Sequence, residues 1–193
     1  TFDIDVLKNS INENTRMLFL NTPHNPLGRI FTLDELQLIA DIVRPYPNLI
    51  IFSDEVYDFL LHTDTGVEYT ARGLPLPESY NGVTAMSTAP PIPPRFASLP
   101  GMWEKTLTIG SAGKMFSITG WKIGWAIGPA PLVGAISTVH QWVSFCVATP
   151  LQLAVAEAID KAQENGYYRE LQRRYTEKRD LLYTGLLKAG LNP

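Results

Sequence analysis

The sequence predicts an α/β protein built on one sheet, and three observations carry that expectation. Short apolar runs recur at Thr15-Arg-Met-Leu-Phe-Leu20, Leu49-Ile-Ile-Phe-Ser53 and 106–110, with a fourth at 121–127. A helix and turns, rather than tight hairpins alone, separate those runs. The second half of the chain then reads as consecutive helices. Strands spaced in this way favour a sheet covered on both faces, with ligands taken up where strands end in loops.

The first run is a mostly apolar strand, and Pro23, Pro26 and Gly28 force a turn after it. Thr32-Leu-Asp-Glu35 has capping-box spacing, in which the Thr32 hydroxyl accepts an amide of the first turn while Glu35 reaches back. A helix over 32–43 follows and ends at Pro45 and Pro47. The second strand, 49–53, delivers Asp54 and Tyr57 at its end. The runs at 106–110 and 121–127 are the third and fourth strands. Helices are expected over 131–145, from a Thr149-Pro150 start, and over 167–189. In the last, Leu171, Tyr175, Leu182 and Leu186 share a face and Gly190 is the stop. Between His62 and Phe96 the chain is rich in proline, glycine, serine and threonine without a period, so 62–96 reads as a loop insertion. A functional loop and retained intron sequence both fit it.

The 193 residues are 45% hydrophobic and 18% charged, enough to bury one sizeable core. A net charge of −3 lacks the basic surface that nucleic acid or an acidic membrane requires, so neither is expected as a partner. No apolar run approaches the roughly 20 residues of a membrane span, and no signal segment opens the chain. The single cysteine, Cys146, sits in an apolar run and is expected to be a buried small hydrophobe. A reducing compartment fits best, which points to the cytoplasm; a mature mitochondrial protein would look the same. The chain opens at Thr1 without methionine and closes at Pro193 just after a helix, so an excerpt of a longer protein is expected.

The densest chemistry lies in Thr106-Leu-Thr-Ile-Gly-Ser-Ala-Gly-Lys-Met-Phe-Ser-Ile-Thr-Gly-Trp-Lys-Ile-Gly-Trp125. Lys114 stands on a small-residue turn after a strand, where an amine can meet a bound carbonyl, and Lys122 follows eight residues on. A lysine condenses with an aldehyde only when neutral, which requires desolvation or cationic neighbours. The bland reading is an exposed lysine on a turn. Gly110-Ser-Ala-Gly-Lys114 is not a phosphate-binding P-loop, because Met115 stands where a magnesium-binding hydroxyl is needed. Ser111-x-x-Lys114 lacks the companion motifs of penicillin-binding enzymes. The three histidines, His24, His62 and His140, have no metal-ligand spacing, and no metal site is expected.

Together with Asn21-Thr-Pro-His-Asn-Pro-Leu-Gly28 and Asp54-Glu-Val-Tyr57, this stretch resembles the fold-type I, class I/II aminotransferases that use pyridoxal 5'-phosphate. The wording from Leu99 to Lys114 is closest to the kynurenine aminotransferase branch, which includes glutamine transaminase K and cysteine-S-conjugate β-lyase. The resemblance implies a three-layer α/β/α large domain with a mostly parallel sheet. Residues 1–193 would then be part of that domain, lacking the small domain and ending in the helix that leads to it.

It further implies roles for six residues. Lys114 forms the Schiff base and acts as general acid and base. Asp54 pairs with the pyridine nitrogen; at ~4 Å and an effective dielectric of about 20 such a pair is worth roughly 4 kcal/mol, about three pKa units. Its alternative is a cap on the following turn. Tyr57 and Asn25 hydrogen-bond the phenolate oxygen, and Asn25 also suits an Asx-Pro turn. Ser111 and Lys122 ligate the phosphate, with Lys122 where most class I relatives have arginine. Trp121 and Trp125 are expected in the core. The implied reaction moves an amino group from kynurenine, glutamine or an aromatic or sulfur amino acid to a 2-oxo acid, in a homodimer. The alternatives are a β-lyase for cysteine S-conjugates and a non-catalytic remnant that binds the cofactor.

Overall fold

The computed structural model describes residues 3–62 and 92–193. Most of the segment read as an insertion, 63–91, therefore lies outside the described residues. The chain divides into two compact units, one comprising Thr1–Asp58 with Pro93–Leu153 and the other Phe59–Ile92 with Ala154–Pro193.

The first unit is built on a four-stranded sheet in the order β1 (Met17–Asn21), β2 (Ile50–Asp54), β3 (Thr106–Ser111), β4 (Gly124–Ile127). β1, β2 and β3 run parallel, and β4 is an antiparallel edge. Each strand of the sequence reading is present within a few residues. The fourth starts later than expected because Lys122, at φ +58°, is left-handed and interrupts the extended run; Thr119–Trp121 forms a single 3-10 turn instead.

Helix α1 (Ile4–Ser10) precedes β1 and was not foreseen, although Asp3 caps it by accepting from the Asp5 and Val6 amides. α2 (Leu33–Val43) carries the expected capping box, with Glu35 N donating to Thr32 Oγ1 at 3.2 Å and Thr32 N to Glu35 Oε2 at 2.9 Å. Its buried residues are Leu36, Ile39, Ala40 and Val43, one helical stripe at i, i+3, i+4 and i+7. That stripe joins Leu20, Leu49, Ile51, Phe96 and Met102 in the core. At and just beyond its C-terminal end, Lys105 Nζ donates to the carbonyls of Val43 (3.0 Å) and Tyr46 (2.7 Å), placing a cation at the negative end of the helix.

The chain that enters the core at 95–96 is anchored. Phe96 is fully buried in the core and Arg95 is ion-paired. On the other side of β1, Phe19 is 67% exposed and packs on Phe52 of β2 at 4.9 Å between ring centroids.

After β3 the chain makes one helical turn, α3 (Ala112–Met115), and after β4 it enters α4 (Ala130–Val143). Two expectations fail here. Trp121 is exposed rather than in the core, because its 3-10 turn projects from the sheet; Trp125 is half-buried against Gly110. Cys146 is exposed, not buried: α4 has no buried residue, and the apolar run at its end faces outward, with Trp142 83% and Phe145 81% exposed.

Helix α5 (Thr149–Glu164) begins where the Thr149-Pro150 pair predicts. In the second unit, α6 (Tyr167–Lys188) buries Tyr168, Leu171, Gln172 and Thr176, and Phe59 stacks on Tyr168 at 4.1 Å. Leu171 of the expected face is buried, but Leu182 is exposed, since burial is confined to the first half of the helix. Among the described residues no helix is long and apolar enough to cross a membrane.

Candidate active site

The motif residues gather at the C-terminal ends of the parallel strands. Register does this: Asn21 ends β1 opposite Asp54, which ends β2 opposite Ile109 in β3. Residues that are distant in sequence thus leave the sheet side by side, where open α/β sheets bind ligands.

Asn25 lies in the turn after β1 and Tyr57 in the turn after β2, and Asn25 Nδ2 donates to Tyr57 Oη at 3.2 Å. Lys114 Nζ lies 5.5 Å from the centroid of the Tyr57 ring, within cation–π reach. Amide, phenol and amine therefore converge. Lys114 is the third residue of the single turn α3, which follows directly on the end of β3; Ala112 and Gly113 before it are buried. A Cβ on Gly113 would meet Thr119 Cα at 3.1 Å and Ser111 Oγ at 3.2 Å, so glycine allows the backbone to close here.

Asp54 directs its carboxylate to its own turn, where Oδ1 accepts from Val56 N at 3.3 Å. Ser111 pairs with Gly124, and Ala112 N donates to Ile123 O at 3.1 Å. Those two contacts bring the end of β3 alongside Ile123 and Gly124, the residues that follow Lys122. Lys122 itself is exposed. All six residues singled out in the sequence thus lie on neighbouring turns at one edge of the sheet. Side-chain contacts join Asn25, Tyr57 and Lys114, while backbone pairing joins the Ser111 strand end to Ile123 and Gly124, just after Lys122.

Sequence reasoning missed the buried charges that support the Asp54–Tyr57 turn. Glu55 is 3% exposed and takes a hydrogen bond from Ser53 Oγ at 2.8 Å and an ion pair from Arg95 at 2.5 Å; the other Arg95 nitrogen meets Asp58 Oδ2 at 2.7 Å. Burial pushes the Glu55 carboxyl above its ordinary range, against the lowering pull of Ser53 and Arg95. Burial also opposes charge on Arg95, but the hydrogen bond to Asp58 and the charge of Glu55 more than offset it and hold its pKa above the usual value. Tyr57 sits inside the span that Arg95 bridges. The sequence signal was present in Asp54-Glu-Val-Tyr-Asp58, but its partner lay 40 and 37 residues away from Glu55 and Asp58, in a stretch with no period. Asn21, inside the first motif, was likewise given no role.

The family model described as aminotransferase class I and II matches residues 1–193. The chain belongs to this family. It is 45% identical over 182 residues to a kynurenine–oxoglutarate transaminase of Dictyostelium discoideum, covering 94% of this chain and 36% of that protein. Against kynurenine–oxoglutarate transaminase 3 of Mus musculus the identity is 42% over 198 residues, covering 100% of this chain and 38% of the relative. Among solved structures, N-succinyldiaminopimelate aminotransferase from Mycobacterium tuberculosis superposes with a TM-score of 0.77 at 35% identity, over 98% of this chain and 42% of that one. The chain spans just over a third of the length of the curated relatives it matches. Pyridoxal 5'-phosphate is the cofactor of this aminotransferase family. The functional groups at the sheet edge suit it chemically: an amine, two neutral hydrogen-bond donors, a carboxylate, a hydroxyl and a second ammonium.

Proposed function

We propose that the protein is a transaminase that moves an amino group from kynurenine, glutamine or an aromatic or sulfur amino acid to a 2-oxo acid, with pyridoxal 5'-phosphate held at Lys114. The observation that carries this reading is the convergence of Asn25 Nδ2 on Tyr57 Oη at 3.2 Å with Lys114 Nζ 5.5 Å from the same ring. Relatives named kynurenine–oxoglutarate transaminase at 45% and 42% identity support the substrate class.

When bound, the cofactor supplies an electron sink for the negative charge that develops at a substrate's Cα. In this reading Lys114 Nζ would hold the cofactor through its aldehyde group, and the same amine would move a proton at the substrate's Cα. Asp54 would hold the pyridine nitrogen. Tyr57 Oη and Asn25 Nδ2 donate to the phenolate oxygen and stabilise its charged form. Ser111 and Lys122 hold the phosphate, Lys122 as a point charge whose exposure is consistent with a group on the rim of a site.

The exposed apolar run Trp142, Val143 and Phe145 supports a homodimer, because a monomer gains nothing from presenting these side chains to water. Residues 1–193 are read as part of the large domain, with α6 leading to the small one, and the protein is placed in the cytoplasm or mitochondrion. The test is to load the full-length protein with the cofactor, reduce with borohydride and map the pyridoxyl group. Label at Lys114, absent from Lys114→Ala, together with amino transfer from kynurenine to 2-oxoglutarate, is the expected result. Label scattered over surface lysines would overturn the site. Pyruvate released from a cysteine conjugate without an added oxo acid would instead indicate elimination.

A further inference from the structure

We infer that Asn21 is a positioning residue that ties the Asn25–Tyr57 pair to the Asp54 end of the sheet, an inference that rests on the proposed cofactor site. Its half-buried amide uses three hydrogen bonds at once. Oδ1 accepts from Asn25 N at 2.8 Å, while Nδ2 donates to Asp54 O at 3.1 Å and to Pro23 O at 3.2 Å. The orientation of the amide is determined by its partners, one backbone N–H and two carbonyls, so the reverse placement would satisfy none of them.

This side chain sits where β1 stops pairing with β2. Asn21 is in register with Asp54, and Thr22 N also donates to Asp54 O, at 3.0 Å. Beyond that point the turn has no ladder to hold it. Asn21 replaces the ladder by clamping the turn's start at Pro23 and its third residue at Asn25. Asn25 then reaches Tyr57 across 32 residues of sequence. The hydrogen bonds of the Asn21 side chain all go to backbone atoms, so its influence passes through the backbone of the turn. A side chain placed in this way links the turn that carries Asn25 to the strand end that carries Asp54, and small errors in such placement weaken a site.

The experiment is a pH titration of the bound cofactor's absorbance in the full-length protein, compared across wild type, Asn25→Ala, Asn21→Ala and the double variant. A hydrogen bond to a charged oxygen lowers the cofactor's apparent pKa by about one unit, so Asn25→Ala raises it by about that much. Asn21→Ala is expected to raise it by half a unit or more, and the double variant to move no further than Asn25→Ala alone, because both act through one contact. Asn21→Asp keeps the side-chain volume and the acceptor for Asn25 N but loses both donors; it is expected to shift the titration as well, and serves if the alanine variant does not fold. An Asn21 variant that lowers thermal stability yet titrates as wild type does, while Asn25→Ala shifts the titration, makes the role purely structural and overturns the inference, while the proposed site stands. A wild-type protein that shows no cofactor absorbance dependent on Lys114 overturns the proposed site and this inference with it.

Discussion

Replacing Arg95 by methionine keeps the aliphatic stem but removes the guanidinium that pairs with Glu55 at 2.5 Å and Asp58 at 2.7 Å. Glu55 is 3% exposed, so the variant leaves a carboxylate in the protein interior with Ser53 Oγ still donating to it. Removing one partner of a buried ion pair costs about 3–5 kcal/mol. The Arg95 side chain is itself 32% exposed, which lets water reach part of the gap and places the expected loss near the lower end, about 3 kcal/mol. With a urea m-value of about 1–3 kcal/mol/M, the midpoint should fall by about 1–3 M. The loss should also depend on pH. Burial already holds the folded-state pKa of Glu55 above its model-compound value of 4.5, and without Arg95 it rises further. A carboxyl with a raised folded pKa loses stability as pH climbs from the unfolded value through the folded one. The deficit of the variant is therefore largest at neutral pH and shrinks on acidification towards pH 4.5. Equilibrium urea unfolding of both proteins at several pH values measures this. A deficit under about 1 kcal/mol, in the range of an exposed pair, or one that does not change with pH, would refute the buried-charge reasoning.

Two further predictions follow from local geometry. Thr32→Ala removes the acceptor for Glu35 N at 3.2 Å and should destabilise the protein by about 1 kcal/mol, with Thr32→Ser close to wild type in thermal unfolding. A Cβ on Gly110 would lie 2.2 Å from Trp125 Nε1 and 2.3 Å from Cε2. Gly110→Ala should therefore displace the indole, shift tryptophan emission to the red and cost about 1–3 kcal/mol; unchanged emission would show that the ring does not rest on this glycine.

Where the sequence reading succeeded, the cause of the structure was local. α2 was legible from Thr32 and Glu35 together with its apolar stripe, because a cap and a period act within a few residues. Lys114, Asp54, Tyr57, Asn25, Ser111 and Lys122 were singled out as motif letters, and their roles at the cofactor belong to the proposal. Where reading failed, the cause lay elsewhere in the chain. Leu182 continues the stripe of Leu171 yet is exposed, since a helix's period says which residues share a face but not how far along the helix that face is covered. Cys146 and its apolar neighbours look like core by composition and face outward.

The sequence by itself determined the strands and their order along the chain, the capped helix between the first two, the small-residue turn that bears Lys114, and membership of the aminotransferase family. Only the tertiary structure decided that Asn25 meets Tyr57, that Asn21 holds Asp54 O, and that Arg95 locks the turn at Glu55 and Asp58. Those pairs join residues 32 to 40 apart. Their meeting depends on the parallel register of β1, β2 and β3, which forms only when the apolar faces of strands and helix are buried together. Local propensity acts over a few residues, whereas register is set by burial across the whole sheet, so the turns that carry the site acquire their relative positions from packing.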